Sequence, residues 1–426
     1  MFFSTIKSAQ YKFKNDLNWN IAGFLLVAIC GLSINILITR YYSFAILGYF
    51  NILLVFFLVL SQISSWGIQL SVQKFIPQFS KNIIICKQIL TSSFLISMLF
   101  AAIGVFFLVW FRELPGKLMG NDLLTEGFIY MVFGIGFLTI NKILLSFLNG
   151  MRMMKSYAFY SSLRPFLMLL FLLFFIAFKV ETIFLGLIFT IPEFLLTILL
   201  LFKIKKWFIL LSYPRFKRLF KLQFWYGNKV VMGSVLTNFQ SKIDIFILGF
   251  FVTDTMLGVY SFAVFIADGF FQIFYVFRTT LNPVITNIYY NRSHLMLRRV
   301  IDKSIISFYK IFLILGLIVA LFYPSLLFVF KIQSYIITNL IIFYVLLLGI
   351  LIASGYIPFQ FIFNQIGKPK EQTKFLLLLF CITIIFNLAF IPLIGVYGAA
   401  TAIFLANIFQ LFYLRQGMRK HLNSTK

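Results

Sequence analysis

The chain has 426 residues, of which 62% are hydrophobic and only 11% are charged, and its mean hydropathy is +0.99. A water-soluble domain is about half apolar, so this composition excludes a soluble globular protein and is typical of a chain that crosses a membrane many times. The formal net charge of +26 would favour a nucleic-acid partner in a soluble protein. In a membrane protein the same excess belongs to cytoplasmic loops, so no nucleic-acid partner is expected.

A membrane-spanning helix needs about 20 mostly apolar residues. Runs of this length predict twelve spans, in chain order 20–39, 45–66, 88–110, 125–148, 158–178, 181–202, 226–251, 257–277, 304–324, 336–357, 373–394 and 396–415. The first run is long enough to remain as a span instead of serving as a cleaved leader. The predicted fold is therefore an all-α integral membrane protein.

The distribution of Lys and Arg between alternate loops supports this number of spans independently. If the N-terminus is cytoplasmic, 27 basic residues, Arg292 and Lys426 among them, fall in cytoplasmic segments. The opposite side has five, which are Arg40, Arg112, Lys117, Lys179 and Lys331. Because basic residues accumulate on the cytoplasmic side of membrane proteins, both termini are predicted to lie there.

The longest predicted cytoplasmic loop divides the spans into two sets of six. The predicted organisation is an N-terminal lobe (1–202), a cytoplasmic linker (203–225) and a C-terminal lobe (226–426). In the linker, Arg215, Arg218 and Lys221 recur at helical spacing opposite a hydrophobic face. This pattern predicts an amphipathic helix lying on an anionic membrane surface. A docking site for a cytoplasmic partner is the alternative interpretation.

Two short outer turns occupy equivalent positions in the two halves. Each closes on a Leu-Gly-x-aromatic run, at 47–50 after the first span and at 257–260 after the seventh. This similarity favours an internal repeat, which is the ground plan of many secondary transporters.

Three segments resemble those of a known family: DIFILGFFVTDTMLGVYSFA (244–263), FNQIGKPK (363–370) and NLAFIPLIGVYGAATA (387–402). They are similar to the seventh-helix signature, the Gly-Lys turn before helix 11 and the junction of helices 11 and 12 in polysaccharide-unit flippases of the O-antigen type. That family belongs to the multidrug/oligosaccharidyl-lipid/polysaccharide exporter superfamily. The resemblance implies two six-helix lobes around a central cavity, with no ATPase of their own.

The function that this resemblance implies is transport across the bacterial cytoplasmic membrane during polysaccharide biosynthesis, such as that of O-antigen and lipopolysaccharide. The cargo would be an undecaprenyl-pyrophosphate-linked oligosaccharide, moved from the inner to the outer leaflet by alternating access. Its polyprenyl tail would stay in the lipid bilayer. The polysaccharide polymerase machinery is the further protein partner that the resemblance leaves open.

Six charged residues inside predicted spans are candidates for a functional site: Lys142, Arg164, Glu193, Lys242, Asp244 and Asp268. An isolated charge at the centre of a bilayer costs roughly 2.5–3.5 kcal/mol on insertion scales, so each is expected to be paired, to snorkel or to line a wet cavity. At ~1.5 Å per residue, Lys142 and Arg164 lie about 9 Å from the cytoplasmic ends of their spans. Glu193 and Asp268 lie near mid-depth, and the other two lie in the outer half of span seven.

Lys242 and Asp244 are two residues apart, about 200° around a helix, so they are not expected to pair with each other. Asp244 would share one face with Gln240, and Lys242 would share another with Asn238. Two polar faces suit a helix that touches a lumen on one side and the other lobe on the opposite side.

The predicted substrate-binding set combines cations with nearby acids. Lys142, Arg164 and Lys242 are candidates for contact with the pyrophosphate, since ammonium and guanidinium groups neutralise phosphate charge. Asp244 and Asp268 would keep the empty cavity near neutral. Snorkelling of the three long cationic side chains to an interface is the alternative to a role in binding.

The acids Glu193, Asp244 and Asp268 are also candidates for coupling transport to a proton or cation. An ion-coupled antiporter for drugs or small molecules, from the same superfamily, is the alternative function. Such a protein would need an acidic site in its first lobe, where Glu193 is the only acid well inside a predicted span.

An enzyme, such as a membrane glycan polymerase or ligase, is a third hypothesis. It would need a sizeable outer loop bearing catalytic groups, and the longest predicted one is only 111–125. No P-loop or G-x-S-x-G motif occurs, and Cys30, Cys86 and Cys381 lack the spacing of metal ligands. Neither catalysis nor a metal or other cofactor is therefore expected.

Overall fold

The computed structural model describes residues 2–290, 294–329 and 335–423. Within these ranges the regular elements are helices, and no strand is present. Arg292, Lys331 and Lys426, three of the predicted loop cations, lie outside the described residues.

The chain divides into two compact units. Unit 1 comprises Met1–Leu37 and Ile52–Phe239, and unit 2 comprises Ile38–Asn51 and Gln240–Lys426. The first two helices, α1 (Phe2–Tyr41) and α2 (Phe44–Ser64), therefore contribute residues to both units. This division differs from the predicted lobes in two places, at 38–51 and at 203–239.

Unit 1 continues with α3 (Ile68–Gln78), α4 (Ile83–Trp110), α5 (Leu114–Met119), α6 (Asp122–Gly150), α7 (Met154–Ala177), α8 (Leu187–Ile204) and α9 (Tyr213–Gln240). Helix α6 packs against α3, α4, α7 and α8. It is apolar on nearly all sides, as expected of a helix surrounded by other helices. Helix α6 is thus the centre of unit 1.

Helices α2 and α3 are separated by a break at Trp66 and Gly67, whose φ angles are 46° and 70°. A side-chain carbon on Gly67 would lie 2.8 Å from the carbonyl oxygen of Gly227 in α9, so only glycine allows this approach. Trp66 stacks on Phe224 of α9, with ring centroids 6.3 Å apart. The break therefore forms the place where α9 packs on this part of unit 1.

Helix α9 is continuous across 225/226, where the linker was predicted to end and the seventh span to begin. The buried side chain of Gln223 accepts a hydrogen bond from Ser93 Oγ at 2.7 Å and donates one to Ser92 Oγ at 2.8 Å, both on α4. A buried amide is costly unless such bonds are made, so this contact holds the first half of α9 in unit 1.

The first turns of α9 have the two faces that the linker pattern predicted. Arg215, Arg218 and Lys221 are exposed, while Phe216 and Phe220 pack against the apolar core of unit 1. Its location on the surface of the membrane remains a prediction.

Eleven helical segments of the described chain are long and apolar enough to cross a membrane, and each overlaps one predicted span. The seventh predicted span, 226–251, has no such counterpart. Helix α9 ends at Gln240, a turn contains Lys242, and α10 (Ile243–Leu248) is short. The polar stretch Asn-Phe-Gln-Ser-Lys at 238–242 accounts for the interruption, because it separates two apolar runs.

Unit 2 contains α10 and then α11 (Asp254–Tyr290), α12 (His294–Val329), α13 (Ile336–Ala353), α14 (Ile362–Gln365), α15 (Pro369–Ile394) and α16 (Val396–Asn423). Helix α16 packs against α13 and α15, and α13 also packs against α11 and α12. The buried Asn339 of α13 donates to the carbonyl oxygen of Val259 at 2.9 Å and accepts from the hydroxyl of Tyr323. One amide side chain thus joins α11, α12 and α13.

The two Leu-Gly-x-aromatic runs contact each other directly. A side-chain carbon on Gly48 would lie 3.0 Å from the backbone nitrogen of Gly258, and one on Gly258 would lie 3.0 Å from that of Gly48. Each such carbon would also collide with a carbonyl oxygen one turn earlier on the other helix, that of Asp254 or of Phe44. This reciprocal packing of α2 on α11 explains why 38–51 group with unit 2.

We expect Gly258→Ala to destabilise the protein by about 1–3 kcal/mol, because the added methyl group would overpack a backbone contact that cannot move aside. Thermal unfolding in detergent measures the effect. The matched control is Gly269→Ala on the same helix, where an added carbon has no neighbour within 4 Å. Equal unfolding temperatures for the two variants would contradict the close packing.

Candidate functional site

Unit 1 brings three of the predicted site residues together inside its helical core. Helix α6 carries Lys142, α7 carries Arg164 and α8 carries Glu193. Glu193 is only 1% exposed, and Phe189 and Leu196 on the same helix are fully buried. A carboxylate in such apolar surroundings needs partners of opposite charge or hydrogen-bond donors.

Both oxygens of the Glu193 carboxylate have partners. Arg164 Nε forms an ion pair with Oε1. Asn141 Nδ2 donates to Oε2 at 2.7 Å and also to the Glu193 carbonyl oxygen at 2.9 Å. Arg164 and Asn141 therefore satisfy the buried charge and join α6, α7 and α8 at one point.

Lys142 adjoins this ion pair and lies within electrostatic range of both Arg164 and Glu193. Its Nζ donates to Ser61 Oγ at 2.9 Å and to Gln62 Oε1 at 3.0 Å, both on α2. An ammonium has three donors, and the third has no acceptor among the residues that the structure describes.

The cluster in unit 1 carries an excess of positive charge. Two cations, Lys142 and Arg164, share the single carboxylate of Glu193, so the three side chains have a net charge of +1 when all are ionised. In the described part of the chain, the buried Nη2 of Arg164 has no hydrogen-bond acceptor, and Nε contacts Glu193 Oε1 as an ion pair without hydrogen-bond geometry. A buried donor without an acceptor is uncommon in proteins and is suited to binding an anionic group.

Unit 2 holds the other three predicted residues in two pairs. Lys242 Nζ lies 3.0 Å from Asp268 Oδ2, which joins the turn before α10 to α11. Asp244 is 4% exposed and accepts a hydrogen bond from the hydroxyl of Tyr260 at 2.6 Å. Lys242 and Asp244 thus have different partners, in line with the expectation that they do not pair with each other.

The two polar helix faces predicted for Lys242 and Asp244 are not formed. The helix ends at Gln240, so Lys242 and Asp244 do not continue its faces. The side chain of Asn238, the predicted neighbour of Lys242, lies outside the described residues.

Four polar partners in these clusters were missed by sequence reasoning: Ser61, Gln62, Asn141 and Tyr260. Asn141 directly precedes Lys142 in an apolar span, and this polar pair was a usable signal. Tyr260 is the aromatic residue of the second Leu-Gly-x-aromatic run, but nothing in the sequence pairs it with Asp244. Gln62 had no signal beyond being polar within a span.

The described part of the chain contains no candidate metal site. There, no three His, Cys, Asp or Glu side chains come together as they would around a metal ion.

The chain matches no protein-family model and no curated protein sequence. Solved structures do match it. One is a multidrug resistance MATE family transporter of the MOP superfamily in an inward-facing conformation, with a TM-score of 0.75, 14% identity and coverage of 94% of this chain and 95% of that chain. Another is the lipid II flippase MurJ in an inward closed conformation, with a TM-score of 0.72, 17% identity and coverage of 95% and 87%.

A third match is a MOP superfamily transporter from Pyrococcus furiosus, described as having a binding pocket of reversed polarity that suggests a different function. Its TM-score is 0.58 at 13% identity, with coverage of 96% of this chain and 95% of that chain. All three neighbours are transporters, and none is an enzyme. The fold is therefore that of MOP superfamily transporters, and the chain is an all-α, multi-pass membrane protein of about twelve helices.

We expect Glu193→Gln to destabilise the protein by about 3 kcal/mol, since it leaves the guanidinium of Arg164 without its charged partner. The value is at the low end of the range for buried pairs because Arg164 is 26% exposed and keeps some access to solvent. Unfolding in detergent measures the loss, and adding Arg164→Gln to the variant is expected to restore part of it.

The control is Glu113→Gln, which removes an exposed ion pair with Lys117. There the hydrogen bond and the charge of Lys117 lower the pKa of the Glu113 carboxyl, but solvent screens the pair. We expect no measurable change in unfolding temperature for this variant. A Glu193→Gln protein as stable as the control would refute a stabilising role for the buried pair.

Proposed function

We propose that this protein is a flippase for an undecaprenyl-pyrophosphate-linked oligosaccharide, moving it from the inner to the outer leaflet of the bacterial cytoplasmic membrane. The observation that carries the proposal is the cationic cluster of unit 1. Counting acceptors among the described residues, it has one unused ammonium donor on Lys142 and one buried, unused guanidinium donor on Arg164. These groups are suited to the concentrated negative charge of a pyrophosphate.

An apolar cavity in unit 1 supports a lipid-linked cargo. It has a volume of about 480 Å³ and lies against α2, α4 and α9, with Ile63, Trp66, Phe100 and Phe224 in its wall. Leu60, Ile63 and Ser64 of α2 face this cavity, whereas Ser61 and Gln62 face Lys142. One helix thus separates a hydrocarbon-like space from a cationic one, an arrangement that suits a molecule with an apolar chain and a charged headgroup.

In this proposal the pyrophosphate binds Lys142 and Arg164 after entering from the cytoplasmic leaflet. The polyprenyl tail remains in apolar surroundings, and the sugars follow the headgroup. Alternating access then exposes the bound headgroup to the outer leaflet. Glu193, Asp244 and Asp268 are the groups available for coupling to a proton or cation, and the polysaccharide polymerase would act on the product outside.

A drug or small-molecule antiporter is the second candidate, because MATE multidrug transporters are among the structural neighbours. An organic cation would need an accessible carboxylate. In unit 1 the Glu193 carboxylate already has Arg164 and Asn141 as partners, which disfavours this role.

The experiment that tests the proposal assigns the leaflet of polyprenyl-pyrophosphate oligosaccharide in cells depleted of this protein and lacking a substitute transporter. We expect the oligosaccharide to accumulate in the inner leaflet and to reach the outer leaflet again after re-expression. Normal delivery in depleted cells would reject the flippase and favour the antiporter.

Re-expressed variants test the cationic cluster in the same cells. We expect Lys142→Gln and Arg164→Gln to lower the flipping rate about tenfold or more, since each removes a charge-assisted hydrogen bond to phosphate. Lys142→Arg should retain most activity, and Lys117→Gln, on an exposed cation, should be normal. Full activity of both Gln variants at wild-type abundance would rule out headgroup binding at this cluster.

The predicted coupling role of Asp268 has its own test. Asp268→Asn neutralises the carboxylate that pairs with Lys242, so we expect transport in proteoliposomes to lose its dependence on an imposed proton or cation gradient. Glu113→Gln, which removes the carboxylate of an exposed ion pair, should keep that dependence. An unchanged response of Asp268→Asn to the gradient would assign coupling to another group.

A further inference from the structure

A second cationic site lies in unit 2, away from the charged residues described above. It is a pocket of about 180 Å³ between α12 and α16. Arg298, Arg415 and Arg419 line it together with Tyr356, and the buried side chains of Ile301 and Met418 lie at its floor. The pocket therefore combines guanidinium and hydroxyl donors with an apolar base.

Positive charge in this pocket exceeds negative charge. Its one acid, Asp302, lies 3.8 Å from Arg298 on the same helix, and both side chains are more than half exposed. Arg415 and Arg419 have no ion-pair partner among the residues that the structure describes. Three guanidinium groups and one carboxylate leave a net charge of +2 for an anionic ligand.

An exposed apolar face adjoins the pocket on α12. Ile306, Leu313 and Leu317 follow Asp302 by 4, 11 and 15 residues, so they lie on the same face of the helix, and each is more than half exposed. Lys310 also lies on this face, and its long stem can carry its ammonium back toward the pocket. A soluble phosphate compound has no apolar part to pack on this face, whereas the acyl chain of a lipid would cover it.

We propose that this pocket binds the phosphodiester headgroup of an anionic phospholipid in the inner leaflet. The guanidinium groups bind the phosphate oxygens, since their planar donors match that geometry. An acyl chain lies along Ile306, Leu313 and Leu317. The positive-inside pattern predicts that this end of α12 and α16 is cytoplasmic, where basic pockets between membrane helices meet anionic headgroups. The inference does not depend on the cargo proposed above.

Native mass spectrometry of the detergent-purified full chain tests the site with two lipid probes, dioleoyl-phosphatidylglycerol and dioleoyl-phosphatidylcholine. We expect phosphatidylglycerol to bind about tenfold more tightly. The triple variant Arg298→Gln/Arg415→Gln/Arg419→Gln should lose about tenfold in affinity for phosphatidylglycerol, because it removes the charge-assisted hydrogen bonds. Equal affinity of the wild type for the two lipids would overturn the proposal.

The matched control is Arg299→Gln/Lys303→Gln/Lys420→Gln, which removes the same charge from the same two helices outside the pocket. We expect it to bind phosphatidylglycerol within about twofold of the wild type. An equal loss in both variants would show a general effect of surface charge and reject the site. Displacement of the lipid by inorganic phosphate or glycerol phosphate at millimolar concentration would reassign the pocket to a soluble phosphate. If the pocket triple variant does not fold, the single exposed change Arg419→Gln is compared with Lys420→Gln by the same criteria.

Discussion

The most demanding constraint on this chain is that charged side chains inside an apolar protein must find partners. Glu193 illustrates it. Its carboxylate is almost fully buried, and it is tolerated because Arg164 and Asn141 approach its two oxygens from different helices. Arg164 can reach Glu193 only if α7 and α8 pack with the correct register, and Asn141 places the same requirement on α6. A single buried charge thus specifies how three membrane helices are arranged, which apolar packing alone would leave less well determined.

Between α2 and α11, close packing of the two backbones fixes how the helices are arranged. The reciprocal contact of Gly48 and Gly258 brings α2 and α11 so close that each glycine occupies space beside the backbone of the other helix. Small residues allow this approach in membrane proteins, where apolar side chains gain little from leaving lipid. The contact holds the start of α2 in unit 2 while the rest of the helix packs in unit 1. The chain therefore passes between the units within a continuous helix at this point.

The helical fold was largely predictable because hydropathy is a strong signal over 20 residues. Eleven predicted spans have a structural counterpart. The exception is the seventh, and it has a physical reason: residues 243–248, apolar apart from Asp244, extend the predicted span over a polar turn at which helix α9 ends. The predicted border at 225/226 falls within the continuous helix α9. The basic composition of the preceding stretch predicted a linker. In the structure, however, the side chain of Gln223 forms hydrogen bonds with α4. No local sequence pattern reveals a contact between residues 130 positions apart.

The candidate site was predictable only at the level of which charges lie within spans. Lys142, Arg164 and Glu193 stood out because charge is costly there, but their mutual contacts arise from packing that hydropathy does not encode. The outcome still separates two kinds of charged group. In unit 2, Lys242 with Asp268 is a balanced pair, and Asp244 has a neutral partner in Tyr260. In unit 1, one carboxylate is shared between two cations, and a buried guanidinium donor lacks an acceptor. Each of the two clusters therefore has a net charge when all its groups are ionised, but the buried donor without an acceptor lies in the cationic cluster of unit 1. In the function proposed above, binding of an anion would supply that acceptor.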